Sequence, residues 1–457
     1  MTNIKFINKY CISYKKKIID VIQLFEKSKT NILIVVDNKK KFIGIITSTD
    51  LRRGILRGLS NTSPIKSIIN QNPLLLKEKI NENKISNIIS SDRFNKIDPP
   101  FIPILNKKNK PIKIVNKDLL NIDQYDLNNK KEKTKILLIG GAGYIGSILA
   151  KRLLKQNYQV TIFDKFIYQS QQEIRKKIKS NNLKLVKGDS RRIDEVFEVI
   201  KKNNVVVHLA ELVGDPLCEV KPSKTYEVNF LASIAISNIC KNLPISKFIY
   251  ISSCSVYGSN NKLLTEKSEI NPISVYAKLK VLCEKALIRN SGEFCKPCIL
   301  RLGTVYGTSL RPRFDLVINL FASRVANNLP IIVTGGDQWR PFIHVNEVCL
   351  AIINIIKAKR EKVNGQIFNL TSFNSRIIDI AKKFKRIFPK TKLLIKKSSK
   401  DKRNYKVSSL KAEKMINFKS KVKLTHGISD LVDYVKKNKI RNINKKKYIN
   451  ILNSSKF

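Results

Sequence analysis

Tyr276 and Lys280 stand four positions apart, and Ser253 precedes them in the chain. On a helix the tyrosine and the lysine would share one face, because residues four apart are neighbours on its surface. An isolated tyrosine has a pKa of about 10, and a nearby ammonium group favours its phenolate form. Such a tyrosine could remove a hydroxyl proton while the adjacent carbon gives up a hydride, with Ser253 hydrogen-bonded to the same oxygen. We therefore predict that these three residues are catalytic.

A glycine-rich turn lies far upstream, where Gly140, Gly143 and Gly146 recur at every third residue. The apolar segment 135–139 before it predicts a strand, and the segment 145–155 after it predicts a helix. The glycines permit a tight turn, a close approach of the backbone to a ligand, and close packing of the helix on the strand. Free N–H groups at the start of the helix would face phosphates. The turn therefore predicts a site for the pyrophosphate of a dinucleotide.

The residue that follows the next predicted strand, 159–163, indicates which dinucleotide binds. Asp164 lies 18 residues after Gly146. A carboxylate at this place accepts a hydrogen bond from the ribose 2′-hydroxyl and repels a 2′-phosphate. The predicted cofactor is NAD, and Lys165 beside the aspartate leaves NADP as the alternative.

Further apolar segments alternate with helical patterns. They predict strands at 183–186, 205–209, 247–251 and 299–303, and helices that include 227–241 and 275–289. Such alternation predicts right-handed βαβ units and a parallel sheet. Because the strand segments are continuously apolar, helices should cover both faces of the sheet. The predicted fold is α/β, with a Rossmann-type, doubly wound parallel sheet.

The first 120 residues have a separate organisation. The segments 32–50 and 101–118 each contain an apolar run, a charged turn, a second apolar run and then an aspartate, which predicts an α+β domain built on a repeat. We predict four regions: an N-terminal domain over 1–120, a polar linker over 121–133, the NAD-binding domain with a small C-terminal substrate-binding part over 134–435, and a solvated basic tail over 436–457.

Residues 252–258 (SSCSVYG) and 340–345 (RPFIHV) complete a known pattern. With the glycine turn and the Tyr/Lys pair, they make the region 135–435 resemble the extended short-chain dehydrogenase/reductases, the NAD-dependent nucleotide-sugar epimerase/dehydratase family. The resemblance implies cofactor contacts by Gly140, Gly143, Tyr144, Ile145, Gly146, Asp164, Asp189, Ser190, Leu209, Ala210, Asn229, Tyr276 and Lys280. It implies nucleotide-sugar contacts by Ser255, Thr304, Arg340 and Arg403, with Arg340 on the diphosphate and Asp401 beside Arg403 at the pocket edge.

The residues after Ser253 favour one reaction within this family. Related 4,6-dehydratases have an aspartate and a glutamate where this chain has Cys254 and Ser255, and neither of these suits the elimination of water at neutral pH. Thr304 stands where many 4-epimerases have asparagine, which argues against an ordinary galactose epimerase. We predict an epimerase that removes and returns a hydride at a sugar carbon, in surface polysaccharide synthesis.

Two alternatives stay open. Within the same family, the chain could be a nucleotide-sugar reductase, dehydrogenase or dehydratase. In a different class, it could be a non-catalytic adenylate-sensing protein in which the Rossmann domain is a scaffold. The intact set of Ser253, Tyr276 and Lys280 argues against the second alternative.

The segment 44–54 (GIITSTDLRRG) makes residues 1–120 resemble a tandem pair of cystathionine-β-synthase (CBS) domains, as attached to sugar-nucleotide enzymes. The resemblance implies that Thr47 and Asp50 contact the phosphate and ribose of an adenine nucleotide. In the second repeat Ile112 and Val115 replace the matching glycine and threonine, although Asp118 matches Asp50. One nucleotide site per chain is therefore expected, and a structural or dimerising module is the alternative.

The formal net charge of +53 comes mainly from lysines spread along the whole length. We therefore predict no specific nucleic-acid partner, and any DNA binding should be weak and lost with salt. No apolar run is long enough for a membrane span, and the first residues contain no signal-peptide core. The eight cysteines show no disulfide framework, which fits a reducing cytoplasm. Cys295 and Cys298 form a CxxC without a second pair, so no metal site is predicted.

The resemblance also implies a homodimer. Family members pair through the helix that carries the Tyr/Lys residues and the helix before the serine strand, here 275–289 and 227–241. Both contain apolar residues at helical spacing, namely Val281, Leu282, Leu287, Ile234, Ile236 and Ile239. Since each helix also needs apolar residues against its own sheet, only the remaining face could pair.

Overall fold

The computed structural model describes residues 10–28, 31–77, 101–116, 134–292, 295–396, 403–445 and 448–450. The chain divides into two compact units, Met1–Lys131 and Glu132–Phe457. This division falls within the segment 121–133, for which the sequence predicts a linker.

The first unit contains two small sheets with the same connectivity. Their strands are β1 (Cys11–Ser13), β2 (Ile32–Val36) and β3 (Phe42–Thr47) in one sheet, and β4 (Leu76–Lys77), β5 (Phe101–Leu105) and β6 (Pro111–Asn116) in the other. In each sheet the first pair of strands is parallel and the second pair is antiparallel. The helices Ile18–Ser28 and Ser48–Leu56 and the short 3₁₀ helix Ile65–Ile68 accompany the first sheet. The two sheets therefore repeat one arrangement, as the sequence pattern predicts.

A seven-stranded sheet forms the centre of the second unit. Its strands are β7 (Lys135–Ile139), β8 (Gln159–Asp164), β9 (Leu183–Lys187), β10 (Val205–His208), β11 (Lys247–Ser253), β13 (Pro297–Leu302) and β17 (Ile367–Leu370). They lie in the order β17-β13-β11-β10-β7-β8-β9, and every pair is parallel. The chain winds outward in opposite directions from β7 and β10. In doubly wound sheets, ligands bind at the carboxyl ends of the strands beside such a reversal.

Both faces of this sheet are buried. Along β7, Ile136 and Leu138 belong to one hydrophobic cluster, and Leu137 and Ile139 belong to another. The first cluster includes side chains from the helices Tyr144–Lys155 and Val345–Lys357, and the second includes side chains from Ile193–Ile200, Ala232–Asn242 and Val275–Arg289. Since successive side chains of a strand point to opposite faces, helices must cover both sides. The predicted doubly wound Rossmann-type fold is confirmed.

A smaller part of the second unit holds shorter sheets. Its strands are β12 (Ser259–Leu264), β14 (Thr304–Tyr306), β15 (Ile331–Thr334), β16 (Trp339–His344), β18 (Phe373–Arg376), β19 (Leu393–Lys396) and β20 (Asn404–Val407). They pair as β14-β16-β18, β15-β19 and β12-β20. A separate core that includes Phe321, Phe342 and Phe384 supports them.

The remaining helices of this unit lie between the strands or follow the last strand. They are Gln171–Lys177, Asp215–Val220, Pro222–Thr225, Val317–Ala326, Arg360–Val363, Ile377–Ile387, Leu410–Ile416 and Leu424–Lys437, with a 3₁₀ helix at Cys254–Tyr257. The predicted helix 227–241 is instead a π-helical turn, Tyr226–Leu231, followed by the α-helix Ala232–Asn242. In the part of the chain that the structure describes, no helix has the length and apolar character of a transmembrane span.

Part of the predicted basic tail is packed against the domain. Ile440 and Tyr448 belong to a buried cluster with Phe314 and Val435. Asn450 is only 4% exposed. The prediction that 436–457 is a solvated tail is therefore wrong for these residues. Apolar and amide side chains stand between the lysines, and their burial is favourable although the segment as a whole is basic.

The cysteines of the CxxC motif belong to different clusters. Cys295 packs in the cluster on one face of the central sheet, and Cys298 packs in the cluster on the other. All eight cysteines of the chain are free. Within the described ranges, no group of three or more His, Cys, Asp or Glu residues could hold a metal ion.

Candidate active site

A cleft of about 680 Å³ brings together residues that are far apart in the sequence. Several predicted site residues line it: Gly140, Gly143, Tyr144, Ile145, Gly146, Leu209, Ser253, Tyr276, Lys280, Thr304, Arg340 and Arg403. They come from the glycine turn and the helix after it, the carboxyl ends of the central strands, the helix Val275–Arg289, and the smaller sheets with their flanking residues. The cleft thus joins the predicted dinucleotide turn, the predicted catalytic residues and the predicted substrate contacts.

A smaller pocket of about 120 Å³ adjoins the glycine turn. The predicted residues Gly140, Gly143, Asp164, Asp189, Ser190, Leu209 and Ala210 line it. Gly140, Gly143 and Tyr168 line both cavities. A dinucleotide could therefore place its adenosine in the pocket and extend past the turn into the cleft.

The glycine turn has the geometry that a pyrophosphate site needs. Gly140 adopts a φ of +83°, and a Cβ on it would lie 2.5 Å from the backbone nitrogen of Ala210. A Cβ on Gly146 would lie 2.6 Å from the Cα of Gly141. The helix begins at Tyr144, and its first N–H groups have no acceptor within the helix. Because residues of this turn line the cleft, these groups can donate to phosphate oxygens, so the turn fits NAD.

Asp164 is held against the turn. Its carboxylate accepts hydrogen bonds from the backbone N–H groups of Ala142 at 2.9 Å and Phe166 at 2.7 Å. Burial raises the pKa of this carboxyl, and the hydrogen bonds oppose that effect. The side chain lines the small pocket, where a ribose would lie.

Asp189 and Ser190 line the other side of the pocket. Arg191 donates to Asp189 at 2.6 and 3.0 Å, and Lys165 lies 3.1 Å from the same carboxylate. Burial opposes ionisation, but these cations hold the pKa of Asp189 well below its usual range. The charge of Lys165 is the reason that NADP is the alternative cofactor, and this charge is paired with the carboxylate of Asp189.

Asn229 lies behind the cleft wall. Its amide donates to the carbonyl of Leu212 at 2.8 Å and accepts from the N–H of Leu212 at 2.8 Å. Both amide atoms thus support the loop after β10. Asn229 is not among the residues that line either of the two cavities.

Tyr276 and Lys280 lie on the helix Val275–Arg289, whose N-cap Ser274 accepts a hydrogen bond from the N–H of Ala277. The Lys280 Nζ lies 5.7 Å from the centroid of the Tyr276 ring. Burial raises the pKa of Tyr276, and the carboxylate of Glu211 raises it further. Proton transfer near neutral pH therefore requires cations beside the tyrosine.

Lys280 is engaged by residues that sequence reasoning missed. Its ammonium contacts the carboxylate of Glu211 and the carbonyl of Ile251, and it lies 3.4 Å from the Tyr250 hydroxyl. Tyr250 also donates to Glu211 at 2.8 Å. Burial raises the pKa of Glu211, and Lys280 and Tyr250 oppose this. One signal could have found Glu211, namely an acidic residue just after the buried strand β10.

The residues after Ser253 turn away from the cleft. Ser253 Oγ accepts a hydrogen bond from the Ser255 N–H at 3.1 Å, and Ser253 lines the cleft. Cys254 is fully buried, its Sγ lies 3.2 Å from the carbonyl of Arg301, and burial raises the pKa of its thiol. Ser255 Oγ is buried without a hydrogen-bond partner among the described residues. Ser255, predicted to contact the substrate, is not part of the cleft lining.

The predicted substrate contacts lie at the cleft wall formed by the smaller sheets. Arg340 is 5% exposed and donates to the carbonyls of Trp339 and Arg403. The Arg403 guanidinium pairs with Asp215 at 2.7 Å. Thr304 begins β14 on the same wall. Asp401 lies outside the described residues.

In the first unit, Thr47 and Asp50 contact each other. Thr47 is the N-cap of the helix Ser48–Leu56, and its Oγ1 accepts from the Asp50 N–H at 3.1 Å. The Asp50 carboxylate accepts from the Thr47 N–H at 2.9 Å and hydroxyl at 2.7 Å. This capping box gives both residues a structural role. Asp118 of the second repeat lies outside the described residues.

Comparisons with known proteins agree with this architecture. The family model of the "NAD dependent epimerase/dehydratase family" matches residues 136–371, and the "CBS domain" model matches residues 7–57. The first match covers more than half of the chain. The protein therefore belongs to the NAD-dependent epimerase/dehydratase family and carries an N-terminal CBS domain. Its cofactor is accordingly NAD.

Individual relatives include both reaction types. The dTDP-D-glucose 4,6-dehydratase of Dictyostelium discoideum is 31% identical over 280 residues, which is 56% of this chain and 63% of the relative, less than two thirds of its length. The UDP-glucose 4-epimerase of Lactobacillus helveticus is 27% identical over 275 residues, or 54% of this chain and 81% of the relative. The UDP-glucuronic acid 4-epimerase of Bacillus cereus, solved with UDP-glucuronic acid and NAD, has a TM-score of 0.60 at 26% identity and covers 67% of this chain and 100% of that one.

Proposed function

We propose that this protein is a nucleotide-sugar epimerase that acts in surface polysaccharide synthesis. One observation carries the proposal. Ser253, Tyr276 and Lys280 line one cleft with the glycine turn, whereas Cys254 and Ser255, at the positions where related dehydratases have acids, are not part of its lining. The cleft thus has groups for moving one hydroxyl proton beside NAD but no carboxylic pair after Ser253.

The glycine turn, Asp164 and Lys280 would hold NAD, which would supply the acceptor and donor for the hydride that is exchanged at a sugar carbon. Tyr276 removes the proton of the hydroxyl on that carbon and later gives it back, and Ser253 hydrogen-bonds the same oxygen. The charge of Lys280 favours the phenolate. To hold the nicotinamide ribose as well, Lys280 would exchange its 3.4 Å contact with the Tyr250 hydroxyl.

The substrate is a nucleoside diphosphate sugar. Arg340 lies in the cleft wall, and a guanidinium suits bidentate contact with a diphosphate. Arg403, paired with Asp215, would contribute at the edge of the same wall. UDP sugars are the first to test, because the Bacillus cereus and Lactobacillus helveticus relatives are named for them.

A dehydratase is the second candidate, because Glu211 supplies a carboxyl group to the cleft. Incubation of the full-length protein with NAD and UDP-glucose, UDP-glucuronic acid or dTDP-glucose separates the two. An epimerase yields a product of unchanged mass with new NMR signals and, in heavy water, no deuterium on carbon. A dehydratase yields a keto sugar lighter by one water. If neither product forms with any of these substrates, the proposal is contradicted.

The CBS unit is proposed to bind one adenine nucleotide, with Thr47 and Asp50 as its contacts. Their capping box would have to open or share its oxygens with the ligand. Calorimetry on the full chain saturated with NAD, so that the pocket beside Asp164 is filled, should detect binding of AMP, ADP or ATP that Asp50→Ala abolishes and Asp37→Ala, in the turn between β2 and β3, leaves intact. No heat with AMP, ADP or ATP, and no loss of binding in Asp50→Ala, would reduce the unit to a structural module.

We also propose a homodimer formed by the helix Val275–Arg289 and the helical segment made of Tyr226–Leu231 and Ala232–Asn242. Of the apolar residues predicted for this surface, Leu282 is 48% exposed, whereas Val281, Leu287 and Ile236 are buried. Val275, seven residues before Leu282 and on the same face, is 38% exposed. Leu231 and Tyr226 are exposed on the neighbouring segment. A second copy would cover these apolar side chains.

A further inference from the structure

Arg311 is a buried cation whose charge the mechanism above does not use. It lines the cleft and is 3% exposed. Its guanidinium carbon lies 3.7 Å from the centroid of the Tyr168 ring, and its Nη2 donates to the Asn450 amide oxygen at 2.7 Å. Its Nε–H has no acceptor among the described residues. The nearby Asp315 is paired with Arg313, which donates hydrogen bonds to its carboxylate at 2.6 and 3.0 Å.

A buried charge without a partner is costly, so such a guanidinium is expected to meet an anion. Burial and the charge of Arg313 lower the pKa of Arg311 to about 10, which still leaves it protonated at neutral pH. In the described part of the chain, no carboxylate forms an ion pair with it. The anion must therefore come from a ligand in the cleft.

The backbone connections of Arg311 indicate which ligand this is. The Arg311 N–H donates to Ser309 Oγ at 3.2 Å, and Ser309 donates to the carbonyl of Tyr144 at 2.7 Å. The Tyr144 hydroxyl in turn donates to the carbonyl of Gly307 at 2.7 Å. The loop that carries Arg311 is thus bonded to the first residue of the helix whose N-terminus faces the cofactor.

Tyr168 independently locates Arg311 relative to the two cavities. It lies under the Arg311 guanidinium and lines both the cleft and the small pocket beside Asp164. The charge of Arg311 also opposes the rise in the pKa of Asp164 that burial causes. With adenosine in the pocket and nicotinamide near Tyr276, the diphosphate of NAD would cross this junction.

We propose that Arg311 binds the diphosphate of NAD and that Asn450, from the C-terminal segment, holds the guanidinium in place. The Asn450 amide bridges two parts of the cleft wall, since it accepts from Arg311 and donates to the carbonyl of Val213 at 3.1 Å. The C-terminal segment is thereby part of the cofactor site. This inference rests on NAD as the cofactor and not on the sugar reaction, so it stands if the epimerase proposal fails.

The test measures binding of NADH to the full-length protein by its fluorescence, so that nucleotides bound elsewhere are not detected. Arg311→Gln should weaken NADH and the competitor ADP-ribose by about ten- to a hundred-fold, because a charge-assisted hydrogen bond to the diphosphate is lost. Competition by adenosine should not change. Arg175→Gln removes the same charge from an exposed helix and should leave NADH affinity as in the wild type.

Asn450 gives a second pair of variants if Arg311→Gln does not fold. Asn450→Ala should weaken NADH several-fold, and Asn450→Asp should weaken it at least as much, because its carboxylate would neutralise Arg311. Unchanged NADH affinity in a folded Arg311→Gln would overturn the proposal. Loss of affinity for UDP with NADH unaffected would also overturn it, by assigning Arg311 to the diphosphate of the sugar nucleotide.

Discussion

Lys280 forms a buried ion pair with Glu211 at the base of the cleft. The two side chains are 2% and 5% exposed, and the same ammonium lies 5.7 Å from the ring of Tyr276. A carboxylate beside the lysine weakens the field that favours the Tyr276 phenolate. Glu211 therefore opposes the activation that Lys280 is expected to provide, and the pair should control the pH range of the reaction.

Replacing Glu211 by glutamine should move the acid limb of kcat/KM to lower pH. The carboxylate that raises the pKa of Tyr276 is removed, and Lys280 is left without its counter-charge, so both changes lower that pKa. Asp215 and Cys218 also raise it and Arg313 lowers it, and these groups stay in place. Tyr250→Phe, which removes only a neutral donor to Glu211, should shift the profile less. A shift to higher pH would contradict this assignment.

Tyr276→Phe should reduce turnover by about 100- to 10,000-fold, the range expected for loss of a general base. NAD should stay bound, because the glycine turn and Asp164 are unchanged. Tyr158→Phe alters a partly buried tyrosine outside the cleft lining and serves as the control. Near-normal turnover in Tyr276→Phe would remove this residue from the mechanism.

Asp164 should determine the preference for NAD over NADP. Ala142 and Phe166 donate to different oxygens of the carboxylate, so Asp164→Asn keeps an acceptor for one of the two backbone N–H groups and removes the negative charge that repels a 2′-phosphate. The dissociation constant for NADP divided by that for NAD should therefore fall. Asp164→Ala should also bind NAD about tenfold or more weakly. Asp194→Asn, on an exposed helix start, should alter neither value. A wild-type preference for NADP would show that the ribose assignment is wrong.

Leu282→Asp should convert a dimer into a monomer of 52.3 kDa. The charge would lie on the exposed apolar face of the helix Val275–Arg289, where a second copy would have to bury it. Light scattering measures the mass, and NADH fluorescence checks that the cleft is intact. Leu410→Asp changes a leucine that is 58% exposed elsewhere and should leave the mass unchanged. A wild-type chain that is monomeric at micromolar concentration would exclude the dimer.

Glu284 should be important for stability. It pairs with Arg301 at 2.6 Å and accepts from Ser252 at 2.5 Å, and the paired side chains are 2% and 3% exposed. Glu284→Ala leaves a buried guanidinium without its partner and should lower the free energy of unfolding of the second unit by about 3–5 kcal/mol. Calorimetry should show this in the transition of that unit. Glu198→Ala breaks an exposed pair and should leave the transition unmoved.

Local sequence signals are enough to predict the elements that carry the site. The strand β7 has the predicted bounds, the helix Val275–Arg289 matches the predicted 275–289, and the glycine turn connects the predicted strand and helix. These features depend on local signals: apolar periodicity, glycine spacing and a serine N-cap act within a few residues. The same local spacing was sufficient for placing Tyr276 and Lys280 on one helix face.

Which side chains surround those elements depends on how distant parts of the chain pack together. Glu211 comes to Lys280 across 69 residues of chain, and Asn450 comes to Arg311 across 139. The π-helical turn before Ala232 and the burial of Tyr448 in the basic C-terminal segment were likewise missed. Such contacts depend on how strands and helices pack over the whole unit, and no periodicity within a short segment encodes a partner that the fold supplies from elsewhere.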